Sequence, residues 1–118
     1  MKICNLDYLK SHSGKNPKFV TEMVQLFLTK TPEYLKGMEK ALSVSDWSGL
    51  KTTAHTLRPS VDLVGMPKEV AAEIKQIEEY CTDRTNLDQI PSLFLKVKDT
   101  FEKAYKELEA ELKEEVTN

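Results

Sequence analysis

The stretch SDWSGLKTTAHTLRPSVDLVG, residues 45–65, decides the fold. Its apolar residues Trp47, Leu50, Ala54, Leu57, Val61 and Val64 recur at steps of three and four. A helix returns to one face about every 3.6 residues, so these six line a single stripe. The positions between them are mostly polar, which makes the segment an amphipathic helix with one face inward. Ser45 can cap its start, with Asp46 in the first turn at the positive end of the helix dipole. Gly65 suits its end.

The same period continues on both sides. Asn16-Pro17 is an N-cap followed by proline at the first helical position, and Phe19, Met23, Leu26 and Phe27 follow on one face to about Thr29. Thr31-Pro32-Glu33 repeats the device and opens a further helix through Leu35, Met38 and Leu42. Downstream of Gly65, Pro67 starts a helix with Val70, Ile74 and Ile77 inward, and the polar loop 82–86 ends it. A long last helix runs from about Leu87 to about Glu115 on the stripe Ile90, Phe94, Val97, Phe101, Ala104, Leu108 and Leu112. Pro91 falls in or near its first turn, and the Glu- and Lys-rich end, Leu108 to Val116, reads as a solvated extension. Leu6 to Leu9 can form one short turn before a loop at Ser13-Gly14-Lys15.

No alternating strand pattern, repeat or low-complexity segment interrupts this series. The fold class is therefore all-α: an antiparallel four-helix bundle with one or two extra N-terminal helices. The last four helices form its core, and the helix from Pro17 packs across one end or side. Residues 1–118 make a single domain, with a core of about 6–112 and a charged end at 113–118.

Composition narrows the function. Seventeen basic and nineteen acidic residues leave a net charge of −2, so no field draws in nucleic acid or an acidic membrane. No apolar run approaches a membrane span and no signal peptide is visible, which gives a cytoplasmic expectation. The start at Met1 and the ordinary length suggest a free-standing protein. Cys4 and Cys81 form no CxxC pair and read as small core or surface residues. The helical stripes are consumed by one bundle, so a monomer is expected.

There are two histidines. His12 lies in a polar loop region, Ser11-His12-Ser13-Gly14, and should be exposed. No close-spaced set of His and Cys suggests a zinc site, and there is no nucleophile elbow or phosphate loop. His55 follows the inward Ala54 and so sits about a hundred degrees round the helix, on a face reading Lys51, His55, Arg58, Pro59 and Asp62. An imidazole on that polar flank is a usable nucleophile. Arg58, three residues on, stands beside it, where a guanidinium can pair with phosphoryl oxygens, and Lys51 adds positive charge one turn earlier.

Taken alone, a histidine between two cations is an ordinary surface. The full run from Ala54 to Gly65, however, resembles the active helix of the histidine-containing phosphotransfer (HPt) domain family. That family's pattern is Ala-His-x-Leu-Lys/Arg-Gly-Ser with a glycine ten residues after the histidine, and His55, Leu57, Arg58, Ser60 and Gly65 match it in order and spacing. Phe27-Leu28, Thr31-Pro32, Ala41-Leu42 and Asp46-Trp47 look like the usual lead-in, and Ile77-Glu78 looks like the following helix.

The resemblance implies a carrier in multistep two-component relays. His55 would take a phosphoryl group from a receiver-domain aspartate and pass it to another receiver, with Arg58 steadying the group. Lys51, Pro59 and Asp62 would face the partner. The domain would have no kinase activity and no cofactor of its own, since the partner supplies Mg²⁺ and the acidic pocket. Attack requires neutral imidazole, so loading should weaken as His55 protonates.

Pro59 departs from the family, which has glycine there. Proline lacks the N–H that would bond the carbonyl of His55, and its ring presses on that carbonyl, so a bend or a loosened bond is expected. Pro59 is also the one feature favouring a second reading, a non-catalytic adaptor that binds a receiver without carrying phosphate. A third reading is a helical enzyme using carboxylates of the last helix, which would have to converge in a pocket.

Overall fold

The computed structural model describes residues 2–12, 14 and 16–117, with side chains through residue 113. Six α-helices follow one another: α1 (Asp7–His12), α2 (Pro17–Ser43), α3 (Trp47–Leu57), α4 (Pro59–Leu63), α5 (Lys68–Asp83) and α6 (Ile90–Thr117). A single 3₁₀ turn, Leu87–Gln89, precedes α6, and no strand occurs among the described residues. No helix among them is long and apolar enough to cross a membrane.

Four of these helices close a ring. α3 packs on α2 and α5, α5 on α6, and α6 on α2, which is the four-helix bundle expected from the periodicity. Connections of three, four and six residues reverse the chain between neighbours, so the long helices alternate in direction. The stripe of α3 and α4 is buried as read: Leu50, Ala54, Leu57, Val61 and Val64 are inaccessible, with Trp47 at the edge. So are Val70, Ile74 and Ile77 of α5, and Ile90, Phe94, Val97, Phe101, Ala104 and Leu108 of α6. α6 starts at Ile90, which leaves Pro91 in its first turn.

The N-terminal half differs from the sequence reading. The two helices expected at Pro17 and Pro32 are one, 27 residues long, with Pro32 inside it. Thr31 does not cap a new helix. Its hydroxyl donates backward to the carbonyl of Phe27 (2.7 Å) and accepts from the Tyr105 hydroxyl of α6 (2.7 Å). The missing N–H of Pro32 costs α2 one rung. The buried stripe Val20, Val24, Phe27, Thr31, Leu35, Met38 and Ala41 nevertheless runs through without a phase change, so packing outweighs that cost. This stripe also corrects the face assigned earlier. Val20 and Val24 point inward with Phe27, while Phe19 and Leu26 are exposed, because only the first set is in register with Leu35 and Met38. α2 therefore lies along the bundle rather than across its end, and α1 packs on α2 and α4 instead.

Smaller corrections concern the ends. Asp46, not Ser45, caps α3: its carboxylate accepts from Gly49 N–H at 3.0 Å, while Ser45 adopts a left-handed turn conformation (φ 56°). Thr82 and Asp83 complete α5 instead of beginning the loop, and Arg84 and Asn86 take left-handed conformations that turn the chain. The charged end is not simply solvated, since Leu108 is fully buried and Glu111 pairs with Lys2, while the side chains of residues 114–116 lie outside the described ones. The expected turn near Leu6–Leu9 is α1. Gly14 lies in the loop that follows, whose Ser13 and Lys15 are outside the described residues.

Candidate functional site

Pro59 divides the helix that carries His55. α3 ends at Leu57 and α4 begins at Pro59, with Arg58 between them still in a helical conformation (φ −53°, ψ −45°). The amide of Arg58 still reaches Ala54 O at 3.0 Å. The next rung is missing, because Pro59 has no N–H for His55 O. Val61 N then bonds Arg58 O at 3.2 Å, the shorter step of a 3₁₀ turn. The interruption expected at this point is therefore present, as a lost rung without a change of backbone region.

His55 stands in the last turn of α3 with its side chain 69% exposed. Its Nδ1 lies 2.9 Å from Oε1 of Glu78 on α5, a partner 23 residues away in sequence. A carboxylate only accepts, so Nδ1 carries the hydrogen and donates. In the neutral ring the free lone pair then sits on Nε2, the nitrogen not engaged by Glu78. The other carboxylate oxygen, Oε2, lies 3.2 Å from Nη1 of Arg58, at ion-pair distance but without the alignment of a hydrogen bond. Glu78 is buried, its side chain 11% exposed, and it holds both an exposed imidazole and a half-buried guanidinium. A carboxylate at such a depth requires partners, and these two are the ones it has.

Glu78 is the residue that sequence reasoning missed. Ile77-Glu78 was quoted only as part of a helix. A signal did exist: the stripe of α5 is Val70, Ile74, Ile77 and Cys81, and Glu78 falls among them as the single charged residue buried with it. An acid on an apolar stripe calls for a partner on a facing helix.

The other expected residues divide into two groups. Arg58, Pro59 and Asp62 line an open groove of about 430 Å³ between α4 and α5, completed by Ala71, Ala72 and Lys75. The alanines leave the space, and Lys75 adds a cation that the sequence did not single out. Lys51 is exposed one turn before His55 and is not part of this groove. It faces α5 farther along, where it and Arg84 partly oppose the burial that pushes the Cys81 thiol up. His12 is exposed as expected, but it ends α1, with Nδ1 2.9 Å from Tyr8 O and its ring against that of Tyr8.

The acidic residues of α6 are dispersed. Asp99 pairs with Lys103, Glu107 accepts the amides of Ile3 and Cys4, and Glu111 pairs with Lys2. Among the described residues, each of these carboxylates is engaged in a structural contact, which lends no support to the reading of a carboxylate enzyme.

Comparison with known proteins is consistent with this geometry. The sequence model of one family, described as Hpt domain, matches residues 22–117. No curated protein sequence matches the chain significantly. Among solved structures, the chain is similar to histidine-containing phosphotransfer protein B (HptB) from Pseudomonas aeruginosa PAO1, with a TM-score of 0.80 and 21% identity over 92% of this chain and 93% of that one. It is also similar to the HPT domain from the Hpt sensor hybrid histidine kinase of Shewanella, with a TM-score of 0.76 and 20% identity over 93% of each chain. At these identities the structural likeness is one of fold.

Proposed function

The chain belongs to the Hpt domain family, a family of phosphorelay intermediates, and on that premise we propose that His55 is the residue that carries the phosphoryl group. The chain is a histidine phosphotransfer carrier, and such domains work with response-regulator receiver domains. One observation carries the assignment to His55: an imidazole open to a partner, with Nδ1 held by a buried carboxylate and Nε2 left to react.

On this reading Nε2 attacks the phosphorus of a receiver's aspartyl phosphate in line. The N–P bond forms as the P–O bond to the aspartate breaks, and the aspartate leaves as a carboxylate. The ring keeps its Nδ1 hydrogen and becomes cationic, and Glu78 stabilises that charge across the 2.9 Å bond. Arg58 turns from Glu78, whose oxygen it meets without hydrogen-bond alignment, to the phosphoryl oxygens. Transfer to a second receiver is the reverse. Lys51, Pro59 and Asp62 face the partner, and Lys75 joins them. The partner supplies the Mg²⁺, and the chain itself has neither kinase activity nor a cofactor. It acts as a cytoplasmic monomer with no nucleic-acid partner.

The test is transfer from phosphorylated receiver domains with Mg²⁺ to wild type and to His55→Gln. Acid-labile label on wild type alone is the expected result. Binding without label would favour the adaptor reading, with Pro59 as its cause.

A further inference from the structure

The five residues of α4 are too few to hold themselves as a helix in water, and the rung that would tie them to α3 is missing at Pro59. Their position is set by what packs on them, and one of those neighbours is α1, into which the N-terminal segment leads. Asn5 N–H donates to the carbonyl of Val64, the residue that caps the end of α4, at 2.9 Å. Gly65 follows in a left-handed conformation (φ 62°), and any Cβ there would run into the carbonyl of Asn5. Leu6 and Leu9 are buried behind this contact. The far end of the segment is clipped to α6. The carboxylate of Glu107 accepts Ile3 N–H at 2.8 Å and Cys4 N–H at 3.1 Å, and Lys2 pairs with Glu111 at 3.2 Å. Charge-assisted bonds of this kind are the stronger ones. The family match begins at residue 22, so this strap lies outside it.

We propose that residues 2–6, clipped by Glu107, are a positioning strap for phosphoryl transfer, holding α4 where the lost rung at Pro59 does not. α4 carries Pro59 and Asp62 and is entered through Arg58, so its placement sets the groove beside His55 and the reach of the guanidinium. Glu107 touches neither the phosphoryl group nor the partner and acts through the strap. The inference rests on the reading that this face serves transfer.

The test compares the full-length wild type, Glu107→Ala, Pro59→Ala and the double variant. Pro59→Ala restores an N–H that can reach His55 O and tie α4 to α3. Two quantities are read: amide hydrogen exchange at residues 60–65, and kcat and KM for transfer from a phosphorylated receiver. Glu107→Ala should speed exchange across 60–65 and lower kcat/KM about fivefold, the low end of coupling between linked sites. In the Pro59→Ala background the same change should leave both near that background's own values. Glu107→Gln, which keeps one acceptor oxygen, should fall between, and it decides the matter if Glu107→Ala does not fold. Unchanged exchange, faster exchange with unchanged transfer, or an equal loss in both backgrounds would overturn the proposal. Absence of transfer to the wild type would instead sink the carrier assignment, and the exchange measurements alone would then decide whether the strap holds α4.

Discussion

At the scale of the residue, one carboxylate organises the site. Because Glu78 holds Nδ1 of His55, ¹⁵N spectra of the imidazole should show the Nδ1–H tautomer as the main neutral form. Glu78→Gln retains an acceptor oxygen and should preserve that tautomer. Glu78→Ala should give the mixture of a free histidine. A similar population in the alanine variant and the wild type would mean that the 2.9 Å contact does not orient the ring. Arg58→Ala should slow transfer by about tenfold and shorten the life of the phosphohistidine, with Arg58→Lys intermediate, since a lysine keeps the charge but not the fork. The same change strands a buried oxygen of Glu78, so a loss of about 1 kcal/mol in stability should accompany it, limited by the exposure of the guanidinium. His55 and Arg58 could be paired from the sequence because they lie three residues apart at helical spacing and within a recognisable pattern. Glu78 was not, because its partners are 23 and 20 residues away, and no spacing rule says which faces of two helices will meet.

At the scale of the element, proline gives opposite results at two places. Pro32 was read as a helix start and sits instead inside α2, where Thr31, Phe27 and Tyr105 interlock across to α6. Pro59 was read as an interruption and is one. Composition could not separate them. What separates them is the stripe: it is continuous and long on both sides of Pro32, whereas beyond Pro59 only one further turn remains before Gly65. Replacing Pro32 by Ala should restore a rung and raise stability by about 1–2 kcal/mol, read from denaturant midpoints, because the propensity gain exceeds the lost stiffness of the unfolded chain. The Thr31–Tyr105 contact makes its own prediction. Burial pushes the Tyr105 hydroxyl up to about 12. The folded state therefore favours the neutral phenol, so this contribution is complete below the unfolded value of about 10 and is lost as pH rises through about 12. Stability of wild type minus that of Tyr105→Phe should fall across that window, and a flat difference would show that the hydroxyl is not held. The helical boundaries near Ser45 and Thr82 were legible only to within a residue or two, since Asp46 and Ser45 are both good caps and backbone geometry chose between them.

At the scale of the whole molecule, the bundle is a short rod of 49 × 24 × 21 Å with a single continuous core. Phe101 belongs to this core, fully buried and stacked on Phe27 at 5.8 Å. Phe101→Ala should cost about 3–5 kcal/mol, a large part of the roughly 5–15 kcal/mol that holds such a domain. Thermal unfolding would check it, and a small loss would mean that the core collapses into the space. The stripes of α3 with α4, of α5 and of α6 were legible almost residue by residue, because burial imposes a period, whereas that of α2 was read from the wrong face at its start. The strap was not, since its bonds run from backbone amides to a side chain at the other end of the chain. That clip has a consequence for how the polypeptide can be rewired. Lys2 touches Glu111, and the described end of α6 lies six residues farther on, about 9 Å along the axis, so the first and last described residues lie at one pole. A linker of a few residues would turn the backbone into a ring. Cutting that ring at the turn 84–86 would yield a circular permutant with the same helices in the same places. Its new ends would stand by the start of α3, where Arg84 meets Ser48, about 10 Å along the helix from His55. A fluorophore attached there would report a partner's arrival without occupying the groove between α4 and α5.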